Sequence, residues 1–419
     1  MSAPLAGSPR PMTVPEIILD PAIKARLAQG HPWVYRNHVR EAGRLASGQW
    51  VRVRCGGLTA YGLWDARSPI AVRLFSRYGP PGPAWVQERV WEAWEGRASL
   101  RDADPPTSAY RWIYGEGDGL PGLVTDRYGD YAVIQTYAES LQALVPLVAQ
   151  SLRACDPSLR GVSLRERSAD EPPSAAEERD APSAEGPPSR LRTLWGEAPP
   201  ADLVVQEHGL YFRADLYRGQ KTGLFLDHRE NRRSVERLAA GRSVLNCFAY
   251  TGGFSLYALR GGAAEVVSAD VGKGLAEAAA DNLALNGLDS GRHRFVTDDC
   301  FTLLDSYAKT GRRFQLVILD PPSFARQKSS LHAALRAYAR LNSLAIRCLE
   351  PGGFLVSASC TSQVSPEQFR NALAEAAAHT NTRLQLVQEA GQPADHPVPA
   401  GFPEGRYLKF VVARALPLP

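Results

Sequence analysis

The chain has 419 residues, of which 44% are apolar and 9% aromatic, enough for two or three domains with ample core. No run approaches the roughly 18 consecutive apolar residues of a membrane span, so no membrane partner is expected. Net charge is only +4, and six cysteines (Cys55, Cys155, Cys247, Cys300, Cys348, Cys360) are scattered without metal-ligand or disulfide spacing, which points to a reduced, cytoplasmic protein with no metal site.

Met1 to Thr13 is rich in Pro, Ser and Gly and lacks the apolar stretch of a signal peptide, so residues 1–14 are expected to form a disordered tail. Residues 15–82 read as a small β-rich module. Lys24-Ala-Arg-Leu-Ala is helical, His31-Pro-Trp-Val-Tyr follows a Gly turn, and Gln49-Trp-Val-Arg-Val-Arg alternates with the period of a half-buried strand. Ala60 to Trp64 and Ile70 to Phe75 are further strands. Between Pro15 and Trp85 stand ten Lys/Arg against four Asp/Glu, whereas the remainder is slightly acidic. A basic module of this kind suggests a polyanionic partner, although a solvated basic surface would read the same way.

Residues 83–215 read as an α+β unit. Trp85 to Leu100 is helical, Tyr110 to Asp130 is a turn-dense hairpin region, Tyr131 to Tyr137 is a strand and Leu141 to Leu152 a helix. Within it, residues 167–190 are rich in Pro, Ser, Ala and Glu with almost no large apolar side chain, the composition of a disordered surface insertion. Leu203 to Arg213 has a hairpin pattern.

Residues 216–419 alternate strand-like and helix-like runs, which argues for a mostly parallel sheet covered by helices. The strands read as Val244-Leu245, Glu265 to Asp270, His293 to Val296, Phe314 to Asp320 and Phe354 to Cys360. The first leads through Thr251-Gly252-Gly253 into a helix, the turn that opens nucleotide-binding α/β domains. A helix from Leu331 to Leu349 is expected to stop at Pro351-Gly352-Gly353. Asn246, Asp270, Asp298 or Asp299, Asp320 and Cys360 all fall at the C-terminal ends of strands, the rim where open α/β sheets bind ligands. Each alone could be a helix cap or a packed thiol; their gathering on one rim favours a site.

Several runs together carry a resemblance. They are His31-Pro-Trp33, Gly117-Asp-Gly-Leu-Pro-Gly122, Lys221-Thr-Gly-x-Phe-Leu-Asp-x-Arg229, Asn246-Cys-Phe-x-Tyr-Thr-Gly-Gly-Phe254, Asp320-Pro-Pro-x-Phe324, Ser359-Cys360, Ala394-Asp-His-Pro-Val398 and Pro403-Glu-Gly-x-Tyr-Leu-Lys409. In order and spacing the chain resembles the bacterial 23S rRNA cytosine-C5 methyltransferases that carry an N-terminal PUA domain. The resemblance implies a Rossmann-like class I methyltransferase domain with a mostly parallel sheet, preceded by a small β-barrel PUA domain and an α+β middle domain. It implies S-adenosylmethionine (SAM) as cofactor, 23S rRNA as partner and a homodimer. The turn containing Asn246, Phe248, Tyr250, Thr251, Gly252, Gly253 and Phe254 would hold the methionine part of SAM. Asp270 would hold the ribose hydroxyls, Asp298 or Asp299 the adenine amino group, and Phe225, Asp227 and Arg229 the segment that closes over the cofactor, with Asp320 alongside. The first turn departs from the generic class I pattern, which has an acidic residue and more glycines.

The implied chemistry explains the rim. Cytosine C5 is a poor nucleophile until a thiolate adds at C6, so the enzyme needs a cysteine beside the base and a group that polarises the ring. Cys360 and Asp320 supply these two groups. Asp320-Pro-Pro carries a proline where other cytosine-C5 families often place a cysteine, which leaves Cys360 as the nucleophile. Three other readings compete. One is SAM-dependent methylation of another base or position, such as guanine N7, which needs no Cys360. The second is a nicotinamide dehydrogenase, disfavoured because the turn is not G-x-G-x-x-G. The third is a non-catalytic RNA-binding ribosome-assembly factor.

Overall fold

The computed structural model describes residues 14–166, 190–325 and 328–418. The expected tail, Val14 apart, and the expected insertion, Arg190 apart, lie outside the described residues.

The N-terminal part runs through β1 (Glu16–Leu19), α1 (Lys24–Ala28), β2 (Trp33–Tyr35), β3 (Val39–Glu41), β4 (Trp50–Cys55), β5 (Leu58–Trp64) and β6 (Ile70–Ser76). These strands form a six-stranded sheet in the order β2-β6-β5-β4-β1-β3. Strand β4 shows why the sequence folds this way. Val51, Val53 and Cys55 point into the core while Arg52 and Arg54 face solvent, the alternation of a sheet with one wet face.

Next come α2 (Pro83–Glu95), α3 (Ala98–Arg101), β7 (Ala109–Tyr114), β8 (Leu123–Tyr128), β9 (Tyr131–Thr136), α4 (Val145–Cys155), β10 (Gly161–Glu166) and β11 (Arg190–Gly196). They build a five-stranded sheet, β11-β10-β9-β8-β7. Helix α2 buries Val86, Val90, Ala93 and Trp94, spaced to form one face, against a core that includes Trp112 and Leu141. A hairpin of β12 (Val204–Glu207) and β13 (Leu210–Arg213) follows.

The large sheet is built from β14 (Ser243–Cys247), β15 (Glu265–Asp270), β16 (His293–Thr297), β17 (Phe314–Leu319), β18 (Leu349–Ser359), β19 (Thr382–Ala390) and β20 (Lys409–Pro417). Its helices are α5 (Arg229–Leu238), α6 (Gly253–Arg260), α7 (Leu275–Leu285), α8 (Cys300–Thr310), α9 (Leu331–Arg347) and α10 (Pro366–His379). The strand order is β16-β15-β14-β17-β18-β20-β19, parallel from β16 to β18, with β20 antiparallel to both of its neighbours. Central strands such as β17 are buried on both faces, so Phe-Gln-Leu-Val-Ile-Leu reads as a near-continuous apolar run. Chain order reverses between β14 and β17. In an open α/β sheet that crevice is the ligand site.

Two differences from the sequence reading concern the second half of this sheet. Strand β18 begins at Leu349 rather than Phe354, and Pro351-Gly352-Gly353 forms an irregularity within it. Gly352 has φ +81°, a conformation that side chains disfavour, so the glycine lets the strand bulge instead of ending the pattern. Strands β19 and β20 had not been read from the sequence.

The parts are not independently packed. One core joins Tyr128, Tyr131 and Val133 of the middle sheet to Leu216, Val235, Leu256, Tyr257 and Phe410 of the part that carries the large sheet. The His31-Pro-Trp33 run also faces inward. Trp33 Nε1 donates to Glu116 at 2.7 Å, and the Trp33 ring lies edge-on to Phe402 at 4.6 Å. His31 Nε2 lies 3.3 Å from Glu404. This run, which lies within the basic β-rich module, therefore joins that module to the rest of the molecule.

Candidate cofactor and catalytic site

The turn after β14 is conformationally costly. Phe248 has φ +60° and Tyr250 φ +48°, while Gly252 has φ +84°. Two non-glycine residues in the left-handed region within three positions amount to stored strain, which concentrates at functional turns. Asn246, at the strand end, is fully buried: its amide donates to Ser255 Oγ at 2.9 Å while its Oδ1 has no partner. Phe254 packs inward, parallel to Phe410 at 6.4 Å, rather than facing the rim. A Cβ on Gly253 would meet Arg232 Cδ at 3.2 Å, and Thr251 offers its carbonyl to Asn282 Nδ2 at 3.1 Å.

Asp270 ends β15 facing this turn. Its carboxylate accepts the Tyr250 N–H at 3.0 Å through Oδ2 and the Gly272 N–H at 3.1 Å through Oδ1. Those two bonds fix the plane of the carboxylate. A carboxylate can accept about four hydrogen bonds, so acceptor capacity remains for two more donors, such as the hydroxyls of a ribose. The donor set therefore fits an adenosyl cofactor. After β16, the two candidate acids separate. Asp299 caps α8, accepting from Thr302 N at 2.9 Å and Thr302 Oγ1 at 3.0 Å, whereas exposed Asp298 only accepts the Asp299 N–H at 2.7 Å.

The 221–229 segment lies against the same turn. The Phe225 ring meets Tyr250 edge-on at 5.2 Å, and Tyr250 Oη accepts the Gln220 N–H at 3.3 Å. Asp227 is buried, and its Oδ2 accepts from both Lys221 Nζ and Tyr407 Oη at 2.6 Å, whereas Oδ1 is buried without a partner. Burial alone would raise the Asp227 carboxyl, but the Lys221 ammonium holds it well below the usual carboxylate range. Arg229 is placed differently from its expected role beside the cofactor. Its guanidinium is buried and forms two 2.9 Å bonds to Asp395. Asp395 also accepts the Arg111 N–H at 2.9 Å, so it ties this segment to the middle sheet. Burial pushes the Asp395 carboxyl up, but His396 and Arg229 outweigh it and hold it far below the usual range. Burial of His396 lowers its own affinity for a proton, so Arg229 carries most of that effect.

The catalytic candidates stand on adjacent strands. Leu319 of β17 pairs with Ser357 of β18, which brings Asp320 and Cys360, each just past its strand, to one rim. Asp320 Oδ1 lies 3.2 Å from Nε2 of the buried His228. Beyond Cys360, the Thr361 hydroxyl donates to Ala325 O at 3.0 Å and the Thr361 carbonyl accepts from Lys409 Nζ. Lys409 is itself buried and also donates to Tyr407 O at 2.7 Å. The turn bearing Cys360 is thus braced by an ammonium group from β20. No cysteine is in a disulfide, and Cys360 and Cys155 are the two that are not fully buried. Burial and neighbouring acids push the Cys155 thiol up to about 11, and burial pushes that of Cys348 to about 11. The Cys247 thiol is also raised, by its contact with Cys300 and by burial, while Cys300 itself sits under the cofactor turn. These thiols are held by packing.

His228, Lys221, Asp395, Tyr407 and Lys409 were missed as functional candidates, although each stands inside a run that the sequence reading quoted. For Asp395, Tyr407 and Lys409 the usable signal was a run of charged and aromatic residues in 394–409 without the helical or strand period that would place them on a solvent face.

A parallel sheet whose reversal point carries a strained glycine turn, with a carboxylate ending the second strand, defines an α/β enzyme built to hold a nucleoside cofactor. The chain belongs to the S-adenosylmethionine-dependent methyltransferase family, whose model matches residues 185–403, and a PUA-like domain model matches residues 17–77. It is 35% identical over 407 residues to a Salmonella arizonae protein named ribosomal RNA large subunit methyltransferase I, covering 96% of this chain and 98% of the relative. A Shewanella denitrificans protein of the same name is 35% identical over 404 residues, covering 95% of this chain and 98% of the relative. The fold is shared with a Streptococcus mutans chain described as a SAM-dependent methyltransferase, with TM-score 0.80 at 20% identity, covering 96% of this chain and 100% of that one. A second chain, described as a methyltransferase and solved with SAH, gives TM-score 0.82 at 21% identity with the same coverage. Among the described residues no helix is long and apolar enough to cross a membrane.

Proposed function

We propose that this enzyme forms 5-methylcytosine in 23S rRNA through a transient bond between Cys360 and C6 of the target base. The rRNA substrate is carried by the names of the full-length relatives. The chemistry is carried by one observation: Cys360 and Asp320 extend from paired parallel strands onto the same rim.

When bound, SAM supplies an electrophilic methyl group. Asp270 would hold its ribose hydroxyls and Asp298 its adenine amino group, with the Asn246–Phe254 turn, Phe225 and Asp227 around its methionine end. The Cys360 thiolate adds to C6, so an S–C6 bond forms and the C5–C6 π pair shifts toward C5. Asp320 engages the N3/N4 edge of the base, and Lys409 holds the turn that carries the thiolate. Once C5 is methylated, loss of its proton restores the C5–C6 double bond and expels the thiolate. The same reading places the enzyme in the cytoplasm, expects a homodimer, and divides the chain at residues 15–82, 83–215 and 216–419.

The test is Cys360→Ser. A serine hydroxyl ionises far less readily than a thiol, so methyl transfer to rRNA should fall below detection while SAM binding persists. RNA carrying 5-fluorocytosine should trap the wild-type enzyme covalently and leave Cys360→Ser without an adduct. Methylation by Cys360→Ser at the wild-type rate would move the assignment to a position that needs no nucleophile, such as guanine N7.

A further inference from the structure

His228 sits between the segment that carries Asp227 and the rim that carries Asp320. Its ring is buried, edge-on to Phe254 at 5.4 Å and to Phe410 at 6.4 Å. Nε2 lies 3.2 Å from Asp320 Oδ1. On the other side, Asn231 Nδ2 lies 3.1 Å from His228 Nδ1. The same Asn231 nitrogen donates to the Gly391 carbonyl at 3.3 Å. A carbonyl oxygen can only accept, so the amide must present its NH2 group on this side. His228 Nδ1 therefore accepts from Asn231, which leaves Nε2 to carry the ring proton on the side of Asp320, at ion-pair distance from Oδ1 but without the alignment of a hydrogen bond. Two aromatic rings and one amide thus leave the imidazole a single orientation and a single tautomer.

We infer that His228 is a positioning residue for Asp320. Its Nε2–H attracts Oδ1 across 3.2 Å and leaves Oδ2 for the exocyclic amino edge of the base. A carboxylate with one oxygen held and one presented accepts from an amino group and repels a carbonyl oxygen at the same place. A cytosine is then favoured over a uracil by the arrangement of the pair, beyond what Asp320 alone would give. The inference rests on the proposed role of Asp320 in engaging the base.

The experiment compares His228→Phe, His228→Gln and Asp320→Asn in the full-length enzyme, with rRNA as substrate and SAM affinity as the folding control. His228→Phe keeps a ring and removes the N–H. It should lower kcat roughly tenfold, through loss of one close polar contact to a carboxylate, and change the KM for SAM far less. His228→Gln, whose amide nitrogen reaches the Nε2 position, should recover most of that loss. His228→Phe added to Asp320→Asn should lower kcat no further, because both act through one carboxylate. If His228→Phe does not fold, His228→Met replaces it as the variant without a donor. Wild-type kcat in the donor-free variant overturns the inference, as does equal impairment in His228→Gln or an additive loss in the double variant. Asp320→Asn at wild-type kcat instead overturns the underlying role of Asp320, and the inference with it. An inactive Asp320→Asn beside a fully active His228→Phe refutes the inference alone.

Discussion

Asp395→Ala should destabilise the protein by about 3–5 kcal/mol, the cost of breaking a buried ion pair from one side. The Asp395 and Arg229 side chains are 0% and 1% exposed, so neither loss can be repaired by water. Alanine removes two 2.9 Å bonds to the guanidinium and the acceptor of the Arg111 N–H. Glu230, at 3.2 Å from Arg229 Nε, is half-exposed and offsets little of this. Hydrogen bonds to charged groups contribute about 1.5–3 kcal/mol each, so the two Arg229 bonds alone account for the range. Arg229→Met combined with Asp395→Leu should recover much of the loss, because apolar pairs of similar volume replace buried ion pairs at little cost. The assay is urea denaturation of wild type, single variants and double variant at fixed salt, with stabilities extrapolated to water. The same series gives a pH test. The Asp395 carboxyl is held below its unfolded value of about 3.9, so its contribution is complete above that pH and fades as pH falls through the folded value. The gap between wild type and Asp395→Ala should therefore narrow below about pH 4. A single-variant loss under about 1 kcal/mol, or a double variant as unstable as the two singles summed, would refute the reasoning.

Asp270→Ala should weaken SAM binding at least about tenfold in calorimetry, since hydrogen bonds to a charged acceptor are lost and the Tyr250 N–H is left without its partner; unchanged affinity would remove Asp270 from the site. Asp299→Ala should cost about 0.5–2 kcal/mol of stability through loss of the α8 cap, whereas Asp298→Ala should weaken SAM binding; the reverse outcome would exchange the two roles. Arg52→Glu with Arg54→Glu, on the exposed face of β4, should weaken RNA binding and reduce the slope of log affinity against log salt by about 2, and an unchanged slope would show that this face does not meet phosphates. This pair is a cleaner probe than removal of residues 1–80, which would also take away the contacts of His31 and Trp33 with Glu404, Glu116 and Phe402.

The readable parts of the site were those that lie next to one another in sequence. Strands β14, β15 and β17 are buried parallel strands, so each appears as an apolar run that ends in a polar residue, and Asn246, Asp270 and Asp320 stand at those ends. The turn glycines announced themselves in the same way. What stayed hidden depends on distant pairing. Tyr407 meets Asp227 across 180 residues, and no local pattern encodes that bond. Asp298 and Asp299 are both exposed acids after a strand, and only the hydrogen bonds of Asp299 to Thr302 separate a cap from its neighbour. Strand β19 is an edge strand with Leu386 and Val387 exposed, so its side chains show neither clean alternation nor a continuous apolar run.

The order in which the chain is made gives the brace from β20 a further meaning. Asp395, Tyr407 and Lys409 all come late, and β20 enters the large sheet between two strands that precede it in sequence. While these residues are still untranslated, β18 lacks a neighbour, the turn carrying Cys360 lacks its ammonium, and the segment holding Asp227 lacks its tyrosine. A nascent chain, or one cut short by a premature stop before residue 395, loses three ties to the rim together. On the proposed mechanism, a chain ending before residue 395 should therefore transfer no methyl group to RNA, and measurable transfer by such a chain would show that these ties are dispensable.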